Sequence, residues 1–266
     1  MHRSDKVRCS LSVVAFLAAS ALAMPDAALG DTRAAEPFTR IFDTNASSGT
    51  PLQSSDISAR AGWIAVPEDT VEYSFKGDAI MLNDRIAIAV RKSCSGAEVF
   101  SLSPEGAVSC ASLTLADSDK AKPLQSLTIA NNAEDYVAIE AMYSGVNDVP
   151  LGMRLELIVG QPFVKAQPLK TARAIIVGAP CDFVVLPDFF ADDIVIGAKD
   201  IPAQTADLPS ENFLLQLAGQ GSGIVMNVWD KRDQDVRVTV GKAAGRTVIE
   251  STEIAFGEGN AVWVAV

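Results

Sequence analysis

Asp188, Asp192 and Asp193 crowd one short stretch with Phe189 and Phe190, inside the run Cys181-Asp182-Phe183-Val184-Val185-Leu186-Pro187-Asp188-Phe189-Phe190-Ala191-Asp192-Asp193. Hard cations such as Ca²⁺ take clustered carboxylates and backbone carbonyls as ligands, so Asp188, Asp192 and Asp193 form a candidate calcium site. The spacing lacks the Asp-x-Asp-x-Asp-Gly order of a helical calcium loop, and solvated turn aspartates are the simpler account of it. No other cofactor is expected. Phe189 and Phe190 offer instead an aromatic platform for a sugar ring. Trp229, next to the charged run Asp230-Lys231-Arg232-Asp233, is a third candidate for lining such a site, against the alternative of strand packing.

The chain has 1 histidine, His2. Residues 3–8 bring Arg3, Lys6 and Arg8, a largely apolar run follows at 11–23, and it ends on Ala21-Leu22-Ala23. That is the order of a secretion signal, and the run is shorter than the ~20 apolar residues of a membrane-spanning helix. Cleavage after Ala23 is expected, with Gly30 as the second choice. The mature protein then has no imidazole, which removes Ser-His-Asp and Cys-His nucleophile systems and histidine-ligated metal centres. No Ser-x-x-Lys is present either. Carboxylate chemistry stays open, as in glycosidases. So does a tyrosine acid or base beside Arg or Lys, with Tyr73, Tyr136 and Tyr143 as the available residues. The glycine-rich Gly219-Gln220-Gly221-Ser222-Gly223 lies between two expected strands, so it reads as a hairpin loop and not as a phosphate cradle at a helix N-terminus.

Removal of residues 1–23 takes the formal net charge from −11 to −13, with three basic side chains and one acidic one lost. An acidic surface without a basic block argues against nucleic acid as a partner. Cys94, Cys110 and Cys181 remain. With Ser103-Pro104-Glu105-Gly106 as a hairpin turn, Cys110 falls opposite Val99 and Cys94 about 16 Å along the strand at ~3.3 Å per residue, beyond the ~7 Å span of a disulfide. A Cys94–Cys110 bridge therefore needs the chain to bend at Ser95-Gly96; otherwise all three are thiols.

The elements that would position these residues are strands. Residues 24–60 are rich in Ala, Ser, Thr, Asp and Pro and read as a flexible leader. From Trp63 onward, short β-branched and aliphatic runs alternate with turn residues. Ala79 to Leu82, a turn at Asn83-Asp84, and Ile86, Ile88 and Val90 give the clearest hairpin. Leu151, Met153, Leu155, Leu157 and Val159 share one strand face, with Arg154 and Glu156 on the other. Strands are also expected at 71–75, 98–102, 107–115, 124–130, 136–143, 163–166, 172–177, 183–186, 193–196, 213–217, 224–229, 236–240, 247–250, 253–256 and 261–266. No amphipathic helix is expected. The architecture is an all-β, large antiparallel β-sandwich over residues 61–266, one continuous body in place of two lobes.

Gly77-Asp78-Ala79-Ile80-Met81-Leu82-Asn83-Asp84-Arg85, Ser95-Gly96-Ala97-Glu98-Val99-Phe100 and Leu186-Pro187-Asp188-Phe189-Phe190-Ala191-Asp192-Asp193 resemble segments of large exported bacterial proteins without an assigned activity. Their β-rich body is similar to the super-sandwich of galactose-mutarotase-like and polysaccharide-lyase-associated domains. The resemblance spans most of residues 60–266 and implies no catalytic residue. Mutarotases use histidine and glutamate, and this chain cannot follow them. The resemblance also implies a longer protein, of which this chain would be an N-terminal portion. The expected function is that of a secreted or periplasmic, non-enzymatic module that binds carbohydrate or a cell-envelope component, without a transmembrane segment once the signal is removed. The alternative is a carbohydrate-active enzyme, or part of one, working through carboxylates or tyrosine.

Overall fold

The computed structural model describes residues 38–119, 122–187, 193–219, 223–230, 234–257 and 260–266. The described residues open on β1 (Arg40–Asp43), a short helix α1 (Ser54–Ala59) and β2 (Ile64–Ala65). Two hairpins follow, β3 (Ala79–Leu82) with β4 (Ile86–Val90) and β5 (Ala97–Ser103) with β6 (Gly106–Leu115). Next comes a meander of β7 (Ser126–Asn132), β8 (Tyr136–Ser144), β9 (Pro150–Ile158) and β10 (Phe163–Lys170). The longest strand, β11 (Ala174–Pro187), leads into β12 (Asp193–Gly197), β13 (Thr205–Leu208), β14 (Phe213–Ala218) and β15 (Gly223–Trp229). β16 (Val236–Ala243), β17 (Arg246–Ala255) and β18 (Val262–Ala265) complete the order.

Every pairing between these strands is antiparallel, as the alternating sequence requires. The pairings trace two wings. The first runs β2-β1-β3-β4-β5-β6-β11-β17-β16-β13. The second runs β7-β8-β9-β10-β18-β15-β14-β11-β12. β11 belongs to both. Its first half lies between β6 and β17, and after a register shift between Gly178 and Cys181 its second half lies between β14 and β12. At that crossing Gly178 lets the Ser112 hydroxyl of β6 pack against the strand; a Cβ there would force that hydroxyl to rotate away. The inner faces of the two wings share one core, in which Ile88, Val99 and Leu113 of the first join Ile139, Leu155 and Val164 of the second. The result is the expected all-β sandwich.

The segment 38–60 departs from the expected leader. β1 pairs with β3, and α1 lays Ile57 over Ile80, Leu82, Ala87, Ala89 and Phe100, with Phe38, Phe42, Leu52 and Trp63 alongside. Two signals lay hidden in its polar composition. Phe42 and Ile57 supply anchors, and the Asp56 carboxylate accepts the Gln53 amide at 2.8 Å to start the helix. Conversely, 71–75 is not a strand. The Asp43 carboxylate takes the amides of Lys76 at 2.7 Å and Gly77 at 2.8 Å and the Tyr73 hydroxyl at 3.2 Å, which holds this connection to the end of β1 in place of a ladder.

Candidate interaction surface

Of the sequence-derived candidates, Asp188, Phe189, Phe190 and Asp192 lie outside the described residues. Asp193 opens β12 opposite Pro187 and is exposed. Among the described residues no group of three or more His, Cys, Asp or Glu side chains is placed to hold a metal. Trp229 is corrected as a ligand-binding candidate: it is 2% exposed and pairs with Val262 of β18, because the alternation of β15 turns it into the core. Cys94, Cys110 and Cys181 are free thiols, so the Cys94–Cys110 bridge is not made. The turn at 103–106 forms as expected, but Cys110 is the extra residue of a bulge opposite Val99 and Phe100, which sets it further out of register with Cys94. Burial raises all three thiols, Cys181 to about 11, so they are poor nucleophiles at neutral pH.

The tyrosines separate by environment. Tyr143 is buried and donates to the Gly96 carbonyl at 3.3 Å, and Tyr73 donates to Asp43. Tyr136 alone meets both a guanidinium and a carboxylate. It stands on the solvent side of β8, where its hydroxyl accepts from Arg154 Nη2 at 3.1 Å. Arg154 also bonds Glu156 at 2.7 Å and approaches Glu140 at 3.5 Å across the β8–β9 pair, and Lys165 of β10 reaches Glu156 at 3.1 Å. Burial pushes Glu156 up, but the bonds from Tyr136 and Lys165 and the charge of Arg154 outweigh it and hold the carboxyl below its usual range. Burial and the Glu156 charge raise Tyr136 against the opposing pull of Arg154, so its hydroxyl stays protonated. This is a ladder of mutually satisfied charges lying across three strands.

On the same outer face, past Lys165, charge stops. One cross-strand row runs Lys165, Trp263, Val228 and Phe213 through β10, β18, β15 and β14. The next runs Phe163, Ala265, Met226, Leu215, Val185 and Val195 and reaches β12. Leu217 and Ile224 form a third pair. Directly opposed residues share a face, and each of these side chains is at least partly open to solvent. Val195 is 59% exposed and Ile224 53%. At the β11–β12 end the face meets a recess of about 340 Å³, lined by Phe183, Asp182, Arg246, Lys199 and Asp200, where Arg246 and Asp182 are paired at 2.9 Å.

What gives this surface its character is that β14, β15 and β18 carry apolar side chains on both faces, with one polar pair, Gln216 and Asn227, on the inner side. Phe213, Leu215 and Leu217 point out while Leu214 and Gln216 are buried, and Val225 and Asn227 are buried beneath Ile224, Met226 and Val228. The inner polar pair is tied down: Asn227 Nδ2 donates to Gln216 Oε1 at 3.0 Å, Gln216 Nε2 to the Ala179 carbonyl at 3.0 Å, and Thr252 of β17 to Gln216 Oε1 at 3.3 Å across the sandwich. Sequence reasoning missed Trp263, Phe213 and Phe163 as surface groups. The available signal was apolar residues at both parities of a strand, which calls for cover on both sides. No family model matches this chain and no curated protein is significantly similar to it, so the chemistry of the surface is its own witness.

Proposed function

We propose that this chain is an exported, non-enzymatic binding module that takes carbohydrate of the cell envelope on the outer face of its second wing. One observation carries the reading: a broad sheet face, uncovered among the described residues, sets aromatic side chains, Trp263, Phe163 and Phe213, next to the hydrogen-bonding ladder of Lys165, Glu156, Arg154 and Tyr136. Sugar rings present apolar faces that pack on aromatics while their hydroxyls seek charged donors and acceptors at the margin. The carboxylates are bound to Arg154 and Lys165 on an open strand surface, an arrangement suited to recognition more than to protonating a leaving group. The resemblance to exported bacterial proteins with mutarotase-like bodies agrees with this role.

The second reading is glycan cleavage by tyrosine, which draws on Tyr136 standing beside Arg154 and Glu156. A glycan array followed by calorimetry on the hits separates the two. Binding that Trp263→Ala weakens at least tenfold, without release of reducing or unsaturated ends, supports the module. Product release abolished by Tyr136→Phe supports the enzyme, and silence in both assays removes carbohydrate from the proposal.

A further inference from the structure

Four strands have no second strand partner among the described residues, and they differ in how that free edge is protected. β2 is only two residues long. β13 is four residues long and carries Asp207, ion-paired to Arg237 at 2.9 Å, with Pro202 and Pro209 on either side. β7 is broken by a register shift between Ile129 and Asn131 and ends on two asparagines. Short length, charge, proline and bulges are the devices that keep sheet edges from pairing with other chains. β12 carries little of this protection: it has no proline and no bulge, and its single charge, Asp193, stands at its first position. Its Asp193-Ile194-Val195-Ile196-Gly197 pairs with β11 along its whole length, exposes Ile194 at 46% and Val195 at 59%, and presents its other edge without a strand partner among the described residues.

We propose that β12 is a self-association edge, and that two copies of this chain join antiparallel through it about a two-fold axis at Val195. The sequence of the strand is self-complementary in that register. Ile194 meets Ile196 of the second copy, Val195 meets its own equivalent, and Asp193 meets Gly197, so no like charges are opposed. Lys199, in the turn just past Gly197, then stands at the end of the strand where the partner copy's Asp193 begins; both are exposed, and neither has an ion-pair partner among the described residues. A closed two-fold contact uses the same patch on both molecules and stops at two. It also joins the row from Phe163 to Val195 with its copy, so that the apolar outer face of the second wing runs unbroken from one copy into the other.

Sedimentation equilibrium of the whole mature chain from 1 to 100 µM tests this. The expected result is a reversible monomer–dimer equilibrium that Val195→Lys shifts at least tenfold toward monomer, with melting temperature unchanged. Because a lysine at Val195 could also perturb β11, the charge register gives an independent readout: Asp193→Lys and Lys199→Asp each weaken the dimer, and the double exchange restores it. A wild-type chain that stays monomeric at 100 µM, or a dimer that survives both Val195→Lys and the single charge changes, overturns the proposal. Glycan binding through Trp263 is measured in the same variants. Trp263 is four strands away on β18, about 19 Å at ~4.8 Å per strand, so either proposal can fail while the other stands.

Discussion

The outer faces of the two wings began from the same problem and met different ends. On the first wing, β3 and β4 are buried on both sides, since α1 and the flanking Phe38, Phe42, Leu52 and Trp63 close over Ile80, Leu82 and Phe100. On the second wing, β14, β15 and β18 carry side chains just as apolar, and the described chain lays nothing over them. Large apolar patches are rare on isolated soluble proteins and mark surfaces that meet something else. Among the described residues, the segment 38–63 covers one face and nothing covers the other, which sets a face packed for stability apart from one open to solvent.

That contrast breaks most readily in the core of the covered face. Phe100→Ala, under α1, should cost about 3–5 kcal/mol in urea unfolding, whereas Phe213→Ala on the open face should cost about 1 kcal/mol or less; equal losses would erase the distinction. Trp263→Ala comes next, with at least a tenfold loss of glycan affinity, about 1.4 kcal/mol, and little change in unfolding. Acid sharpens the comparison at the charged margin. The folded Glu156 carboxyl lies below its unfolded value of about 4.3, so its stabilising effect is complete above that pH and disappears as pH falls through the folded value. Glu156→Gln should therefore lower stability to unfolding at neutral pH by that contribution and flatten the acid limb of the profile, so that variant and wild type converge once pH falls below the folded value. The smallest effect belongs to Arg60, whose guanidinium sits 5.6 Å from the Phe42 ring: Arg60→Ala should cost about 0.5–1 kcal/mol, read as a small shift in the same unfolding midpoint.

Much of the fold was legible because period-two alternation is written in adjacent residues. The hairpin of β3 and β4 forms with Leu82 opposite Ala87, and Arg154 and Glu156 share the face expected of them. The 38–60 part of the expected leader is structured, and this was hard to read because a covering segment has to satisfy only a few contacts, and Phe42, Ile57 and Trp63 are too sparse to show a period. Val71 to Phe75 failed for the opposite reason: its composition favours a strand, but the Asp43 carboxylate claims the amides that follow it. The candidate surface was the least legible part. Aspartates and aromatics clustered in sequence drew attention to 188–193, while Trp263, Lys165 and Phe213 come together only through pairings between β10, β18, β15 and β14.

β18 is the last strand of the chain, yet it is wedged between β10 and β15 in the interior of the second wing. During synthesis, β10 leaves the ribosome long before the strand that must lie beside it, so the meander of β7 to β10 waits with an open interior edge. High separation between partners slows folding and prolongs the exposure of unpaired strands. The second wing therefore closes only once β18 is available to fill the gap between β10 and β15.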